Sequence, residues 1–161
     1  MKVLVATEKP FAAVAVEGIK NEVEAAGHEL VLLEKYTEKS QLLAAVADAD
    51  ALIVRSDKVT AEVIAAAPKL KIVVRAGAGF DNLDLAACTE RGIVAMNTPG
   101  QNSNGVAELA VAMMIFMSRN QFTPGTGMEI IGKKVGIQAY GNVGRLVAAK
   151  AKALGMEVMA F

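Results

Sequence analysis

Five short apolar runs, each separated from the next by a stretch of helical character, dominate the first hundred residues. They span residues 3–7, 29–34, 51–55, 72–76 and 93–97. Runs this short and this apolar are typical of strands buried on both faces of a parallel sheet. Strands that alternate with helices favour βαβ units, in which helices cover both faces. We therefore expect an α/β fold whose flavodoxin-like parallel sheet has the strand order 2-1-3-4-5.

The segments between these strands carry helix signals. Pro10 is expected to open a helix that Gly27 ends, because proline is favoured at a first helical position and glycine just past a last one. Ser40 and Thr60 are predicted to cap the next two helices with their side-chain oxygens. A short fourth helix is expected over residues 83–91.

A glycine corner follows the fourth strand and is the strongest candidate for a binding site. The chain there reads Arg75-Ala76-Gly77-Ala78-Gly79. If Gly77 and Gly79 adopt positive φ, successive backbone N–H groups point into one concavity that binds an anion such as a carboxylate. Arg75 adds a forked positive charge. In the expected strand order the guanidinium of Arg55, after the third strand, would face the same pocket.

A structural reading of these residues stays open at this point. Arg55 and Arg75 would then be solvated strand ends in surface ion pairs. Gly77 and Gly79 would serve only the turn.

The second part of the chain contains a long apolar helix and a glycine-containing loop. The helix, predicted over residues 104–119, is apolar almost all round, so we expect it to be covered on every side in an interdomain or intersubunit position. It is too short to cross a bilayer. A sixth strand is predicted over 134–140, a helix from Gly141 to about Leu154, and a seventh strand over 157–161.

Charge and cysteine content exclude several classes of function. Acidic and basic residues balance at 17 each, which argues against a nucleic-acid surface held by bulk charge. The single Cys88 cannot form an internal disulfide and fits a reducing compartment, so we predict a cytoplasmic location. We expect neither a metal site nor a membrane partner.

Several spaced motifs resemble the D-isomer-specific 2-hydroxyacid dehydrogenases, and the similarity covers essentially the whole chain. The motifs are Arg55-Ser56-Asp57-Lys58-Val59-Thr60, Arg75-Ala76-Gly77-Ala78-Gly79, Asp81-Asn82-Leu83-Asp84, Asn97-Thr98-Pro99, Asn102-Ser103 and Ala107-Glu108-Leu109. The resemblance implies that residues 1–98 form a flavodoxin-like substrate-binding domain. Residues 99–161 would form a hinge helix and the truncated start, a first βαβ unit, of a Rossmann domain that binds NAD.

The same resemblance implies roles for individual residues. Arg55, Ser56 and Arg75 would bind a phosphorylated hydroxy acid, a small anionic substrate. The backbone of Ala76, Gly77, Ala78 and Gly79 would bind its carboxylate. Asn102 would line the cleft between substrate and cofactor.

The predicted cofactor loop consists of Tyr140, Gly141, Asn142, Val143 and Gly144. Gly141 would let the backbone approach a pyrophosphate, and Gly144 would allow close packing of helix on strand. Ala139 stands where G-x-G-x-x-G has its first glycine, so we expect NAD binding to be weak or absent.

Groups needed for hydride transfer are missing from the sequence. The family's catalytic arginine, glutamate and histidine lie further on than Phe161, and no motif surrounds the only histidine, His28. Removal of a hydroxyl proton needs a base. We therefore expect a fragment without catalytic residues, inactive alone, that dimerises through the helix over 104–119.

Two alternatives compete with this interpretation. One is a stand-alone flavodoxin-like or receiver-like binding module. A receiver needs an aspartate where Arg55 ends the third strand, and a flavodoxin needs a hydroxyl-rich loop where Thr7-Glu8-Lys9-Pro10 stands. The other is an engineered chain whose purpose is its architecture.

Overall fold

A computed structural model describes residues 1–161, which divide into two compact units, Met1–Pro99 and Gly100–Phe161. The first unit is built on one sheet of five strands in the order β2-β1-β3-β4-β5, and every neighbouring pair is parallel. The strands are β1 Lys2–Thr7, β2 Glu29–Glu34, β3 Ala51–Val54, β4 Ile72–Arg75 and β5 Val94–Asn97. The predicted flavodoxin-like sheet is therefore confirmed.

Four helices connect these strands: α1 Ala13–Ala25, α2 Lys39–Val46, α3 Ala61–Ala65 and α4 Leu85–Glu90. Alternate residues of the central strands pack against α2, α3 and α4 and form the main core, as the two-residue period of a strand requires. Its fully buried members include Leu4, Leu52, Val54, Val63, Ile64, Val73 and Cys88. By contrast, α1 contains no buried residue.

The helix starts differ from those expected from the sequence. α1 begins at Ala13 rather than at Pro10. Ser40 lies inside α2, which follows Glu38, and the Gln41 side chain accepts the Glu38 N–H at 3.1 Å. Thr60 does precede α3, but its hydroxyl makes no capping hydrogen bond.

The second unit contains a βαβ unit packed on a long helix. Its elements are α5 Ser103–Ser118, a 3-10 turn Asn120–Phe122, β6 Lys134–Ile137, α6 Asn142–Ala153 and β7 Glu157–Ala160. β6 and β7 pair in parallel. α5 and α6 bury a small core of Ala107, Val111, Ile137, Val147 and Ala148. The remaining apolar surface of α5 is exposed, and no helix of the chain has the length and apolar character needed to cross a membrane.

Candidate functional site

The glycine corner after β4 is held by a set of backbone hydrogen bonds. The Ala76 N–H donates to the Val54 carbonyl at 2.8 Å, and the Gly77 N–H donates to the Arg75 carbonyl at 2.8 Å. These two N–H groups are therefore engaged within the protein. The expectation that they point into an anion site is wrong.

The next three carbonyl groups of the corner all accept hydrogen bonds. Gly77 accepts from the Thr98 N–H at 2.9 Å, Ala78 from Asn97 Nδ2 at 2.7 Å, and Gly79 from Arg75 Nη1 at 3.0 Å. In a planar trans peptide the C=O and the following N–H point in opposite directions. Because these three carbonyls point toward their hydrogen-bond donors, the N–H group of each following residue points the opposite way.

Those three N–H groups, on Ala78, Gly79 and Phe80, have no hydrogen-bond partner in the protein. Successive N–H groups that converge in a loop form an anion-binding nest. We refer to these three N–H groups as the nest, and they lie one to two residues further along the chain than the sequence suggested.

The guanidinium of Arg75 lies against this nest. Its Nε donates to the Arg55 carbonyl at 2.9 Å. A Cβ added to Gly77 would lie 2.4 Å from Arg75 Nη1 and 2.6 Å from its Cζ. Neither Gly77 nor Gly79 has positive φ, so that part of the expectation is also wrong. Gly77 makes room for the arginine, and Arg75 Nη2 stays free to bind an anion.

Arg55 follows β3, and its exposed side chain forms no ion pair or hydrogen bond. Its carbonyl ties the end of β3 to Arg75. That both guanidinium groups face one pocket stays a prediction.

Asp57 is a buried carboxylate that the sequence analysis overlooked. It is 6% exposed, and its Oδ1 accepts the Glu8 N–H at 2.7 Å and the Tyr36 hydroxyl at 2.8 Å. Burial, and then the hydrogen bond to Asp57, raise the pKa of Tyr36 well above its usual value. The available signal was an acidic residue two positions after a buried strand. Its partners come from the ends of other strands, which no local pattern reveals.

A cavity of about 400 Å³ opens beside Asp57. Its lining residues are Glu8, Tyr36, Thr37, Lys39, Leu42, Ser56, Asp57, Lys58 and Thr60. Ser56, predicted to bind substrate, is thus placed in this cavity.

The start of α6 has the features of a phosphate loop. A Cβ at Gly144 would lie 2.4 Å from the Ala139 carbonyl oxygen, so close packing of α6 on the turn after β6 requires glycine there. A Cβ at Gly141 would meet nothing within 4 Å, which leaves its backbone open to approach. The N–H groups of Asn142, Val143 and Gly144 have no partner, as is usual in the first turn of a helix. These features fit a pyrophosphate.

Ala139 precedes this loop with φ of +71°, a left-handed conformation that L-residues other than glycine rarely adopt. Alanine thus stands at the first glycine position of the motif in a conformation that glycine adopts more easily. Tyr140 is half exposed, and Asn102 is an exposed residue at the start of α5 whose side chain forms no hydrogen bond.

A second residue that sequence reasoning missed lies near this loop. A cavity of about 280 Å³ is lined by Gly100, Ser103, Asn142, Arg145 and Leu146. Ser103 is 4% exposed and its hydroxyl has no partner. Its place in the Asn102-Ser103 motif was the only signal for it.

Comparison with known proteins identifies the family of this chain. Residues 4–158 match the family described as D-isomer specific 2-hydroxyacid dehydrogenase, catalytic domain. The chain belongs to this family. The D-3-phosphoglycerate dehydrogenase of Mycobacterium leprae is 45% identical over 138 residues, which cover 77% of this chain and 26% of that protein. The hydroxypyruvate reductase of Thermotoga maritima is 38% identical and covers 83% of this chain and 48% of that protein.

Solved structures of 2-hydroxyacid dehydrogenases agree with the fold. The NAD⁺-bound 3-phosphoglycerate dehydrogenase of Entamoeba histolytica superposes with a TM-score of 0.95 and 52% identity, covering 100% of this chain and 53% of that one. The chain thus spans about a quarter to a half of the length of these relatives. A stand-alone flavodoxin or receiver module is not favoured by these matches.

Proposed function

We propose that this chain provides the substrate-binding domain and the start of the NAD-binding domain of a D-3-phosphoglycerate dehydrogenase, an activity that would place it at the first step of serine biosynthesis. The observation that carries the proposal is the nest after β4, where three unpartnered N–H groups lie beside the Arg75 guanidinium. The names of relatives at 45% and 52% identity support this substrate class.

The substrate carboxylate accepts hydrogen bonds from the N–H groups of Ala78, Gly79 and Phe80. Arg75 Nη2, which no protein group engages, adds a charge-assisted hydrogen bond, and such bonds are shorter and stronger than neutral ones. Arg55 and Ser56 bind the phosphate end, and Asn102 lines the cleft to the cofactor. The roles of Arg55 and Ser56 are supported by their position after β3, which neighbours β4. The role of Asn102 is supported by the family motif alone.

The start of α6 holds the cofactor pyrophosphate. The N–H groups of Asn142, Val143 and Gly144 would donate to it, Gly141 would leave room for it, and Tyr140 precedes these residues in the loop. When bound, NAD supplies the hydride acceptor. The methyl group of Ala139 at the tight turn makes this binding weak.

The described residues bind ligands but do not catalyse the conversion of a substrate. No histidine lies in the nest, because the only one, His28, precedes β2 in the sequence. A 2-hydroxy acid loses its hydroxyl proton to a base during hydride transfer. We therefore assign binding to these 161 residues and expect no NAD-linked oxidation of 3-phosphoglycerate from them alone.

In this proposal the protein resides in the cytoplasm.

A second copy of the chain covers α5. Exposed apolar side chains follow one another along this helix: Val106, Leu109, Met113, Phe116 and Met117. A continuous apolar helix surface is a typical interface of a homodimer. Light scattering should show a dimer that dissociates on dilution, and a monomer at every concentration would contradict this interface.

Gly77→Ala tests the substrate site. The new Cβ displaces the Arg75 guanidinium, so D-3-phosphoglycerate binding measured by calorimetry should weaken by about tenfold or more, the effect of losing one charge-assisted hydrogen bond. Gly18→Ala is the matched control, since its Cβ would meet nothing within 4 Å on the surface of α1. Unchanged affinity in Gly77→Ala, or an equal loss in both variants, would refute the assigned site.

A further inference from the structure

A cavity at the carboxyl ends of β1 and β3 is separate from the nest after β4. The chain runs from β1 outward to β2 and then back past β1 to β3. Right-handed crossovers in this order put α1 and α2 on opposite faces of the sheet. The crevice beyond such a switch point is the usual ligand site of open α/β sheets. Topology therefore favours a ligand in this cavity.

The carboxylate of Asp57 points to the charge that this ligand carries. Only its Oδ1 is hydrogen-bonded. Oδ2 has no donor in the protein, and although the residue as a whole is 6% exposed, this oxygen reaches solvent. No lysine or arginine forms an ion pair with it. Asp57 lines the cavity, so Oδ2 is available to a cationic donor within it.

The remaining walls of the cavity add one more carboxylate and an opposite charge. Glu8 stands beside Asp57 after β1, and the buried hydroxyl of Thr60 has no hydrogen-bond partner. Lys39 and Lys58 supply two ammonium groups. Lys39 is paired with Glu62, whereas Lys58 forms no ion pair. The side chains that line the cavity therefore carry charges of both signs, and both hydrogen-bond acceptors and hydrogen-bond donors remain without a protein partner.

We propose that this cavity binds a small zwitterion with a primary ammonium group, such as a free α-amino acid. The ammonium group donates to Asp57 Oδ2 and to the Thr60 hydroxyl, and the carboxylate accepts from Lys58. The cavity shares Ser56 with the proposed phosphate site, but it contains neither Arg75 nor any residue of the nest. The assignment uses Asp57, Thr60 and Lys58 and therefore does not rest on the proposed dehydrogenase function.

The test uses the full chain, labelled with ¹⁵N, and follows the backbone amide of Glu8. This N–H donates to Asp57 Oδ1, so it reports charge at the same carboxylate. Titration with L-alanine should shift the Glu8 resonance to saturation. Glycine betaine carries the same two charges but has no N–H donor, and it should leave the resonance in place.

Two variants and one control assign the effect to residues. Asp57→Asn keeps an acceptor oxygen for Glu8 and Tyr36 but removes the free charged oxygen, and it should weaken L-alanine binding by about tenfold or more. Lys58→Gln, at an exposed position outside the core, should weaken it less. Asp48→Asn should change nothing, since Asp48 pairs with Lys2 and Lys69 outside the cavity.

Several results would overturn the proposal. They are the absence of a saturable shift with L-alanine, equal binding of glycine betaine, and equal binding of ethylammonium, acetate or Mg²⁺ alone. If Asp57→Asn does not fold, unaltered binding in Lys58→Gln overturns it. Failure here is distinguishable from failure of the dehydrogenase assignment, since D-3-phosphoglycerate should perturb the amides of Ala78 and Gly79 instead.

Discussion

Replacing Gly144 by alanine should destabilise the second unit although the residue lies inside a helix. The added Cβ would lie 2.4 Å from the Ala139 carbonyl oxygen and 3.2 Å from Ile137 Cγ2. The first contact is with backbone, which cannot rotate away as a side chain can. Overpacking of this kind costs about 1–3 kcal/mol, occasionally more. Alanine gains about 1 kcal/mol over glycine in a helix. Because the contact is with backbone, the upper end of the overpacking range applies, and the net loss in unfolding free energy should be about 2 kcal/mol.

Gly105→Ala is the matched control for Gly144→Ala. It lies in α5 of the same unit, and its Cβ would meet nothing within 4 Å. We expect it to raise stability by about 0.4–1 kcal/mol, because the unfolded chain loses freedom. Hydrogen exchange of peptides from residues 134–161, read alongside urea unfolding, reports this unit separately from the first. Protection in Gly144→Ala equal to that of Gly105→Ala would refute the argument from close approach.

Two further predictions concern the first unit. Asp84→Ala should lower the free energy of unfolding by about 1 kcal/mol, because Asp84 Oδ1 caps α4 by accepting a backbone N–H at 3.0 Å. Thr60→Ala removes no capping hydrogen bond and should lower it much less in the same urea titration. Burial first, and a neighbouring carboxylate second, raise the pKa of Tyr36. Its neutral phenol therefore contributes stability that is fully present below pH about 10 and lost as pH rises through the higher folded-state pKa. Ultraviolet titration should show Tyr36 ionising only well above pH about 10, and ionisation of Tyr36 at the usual tyrosine pKa would contradict this.

The sheet could be predicted because its determinants are local. Each strand is a continuous apolar run, and the alternation with helices restricts the strand order to a few choices. Helix starts were less predictable. Ser40 has the residue type of a cap, but Gln41 satisfies the Glu38 N–H, and α2 begins two residues earlier than a Ser40 cap would place it.

The residues proposed for the candidate site could be named from the sequence, but the geometry of the corner after β4 could not. From the sequence, Gly77 and Gly79 suggested positive φ, because that is the common reason for glycine in a turn. The actual reason for Gly77 is the Arg75 guanidinium, which is held over it by the Arg55 carbonyl from a neighbouring strand. Such a contact depends on the tertiary fold. The same holds for Asp57, whose partners are separated from it by 49 and 21 residues.

The two loops that we propose to bind anions differ in how their backbone is held. The corner after β4 is fixed by three hydrogen bonds to its carbonyls, from Arg75, Asn97 and a backbone N–H. Because these bonds are all made within the protein, the corner needs little further ordering, and ligands bind more tightly to preorganised sites. The turn before α6 instead keeps Ala139 in a left-handed conformation that costs about 1–2 kcal/mol. It follows that the chain should hold a substrate anion more firmly than a cofactor pyrophosphate.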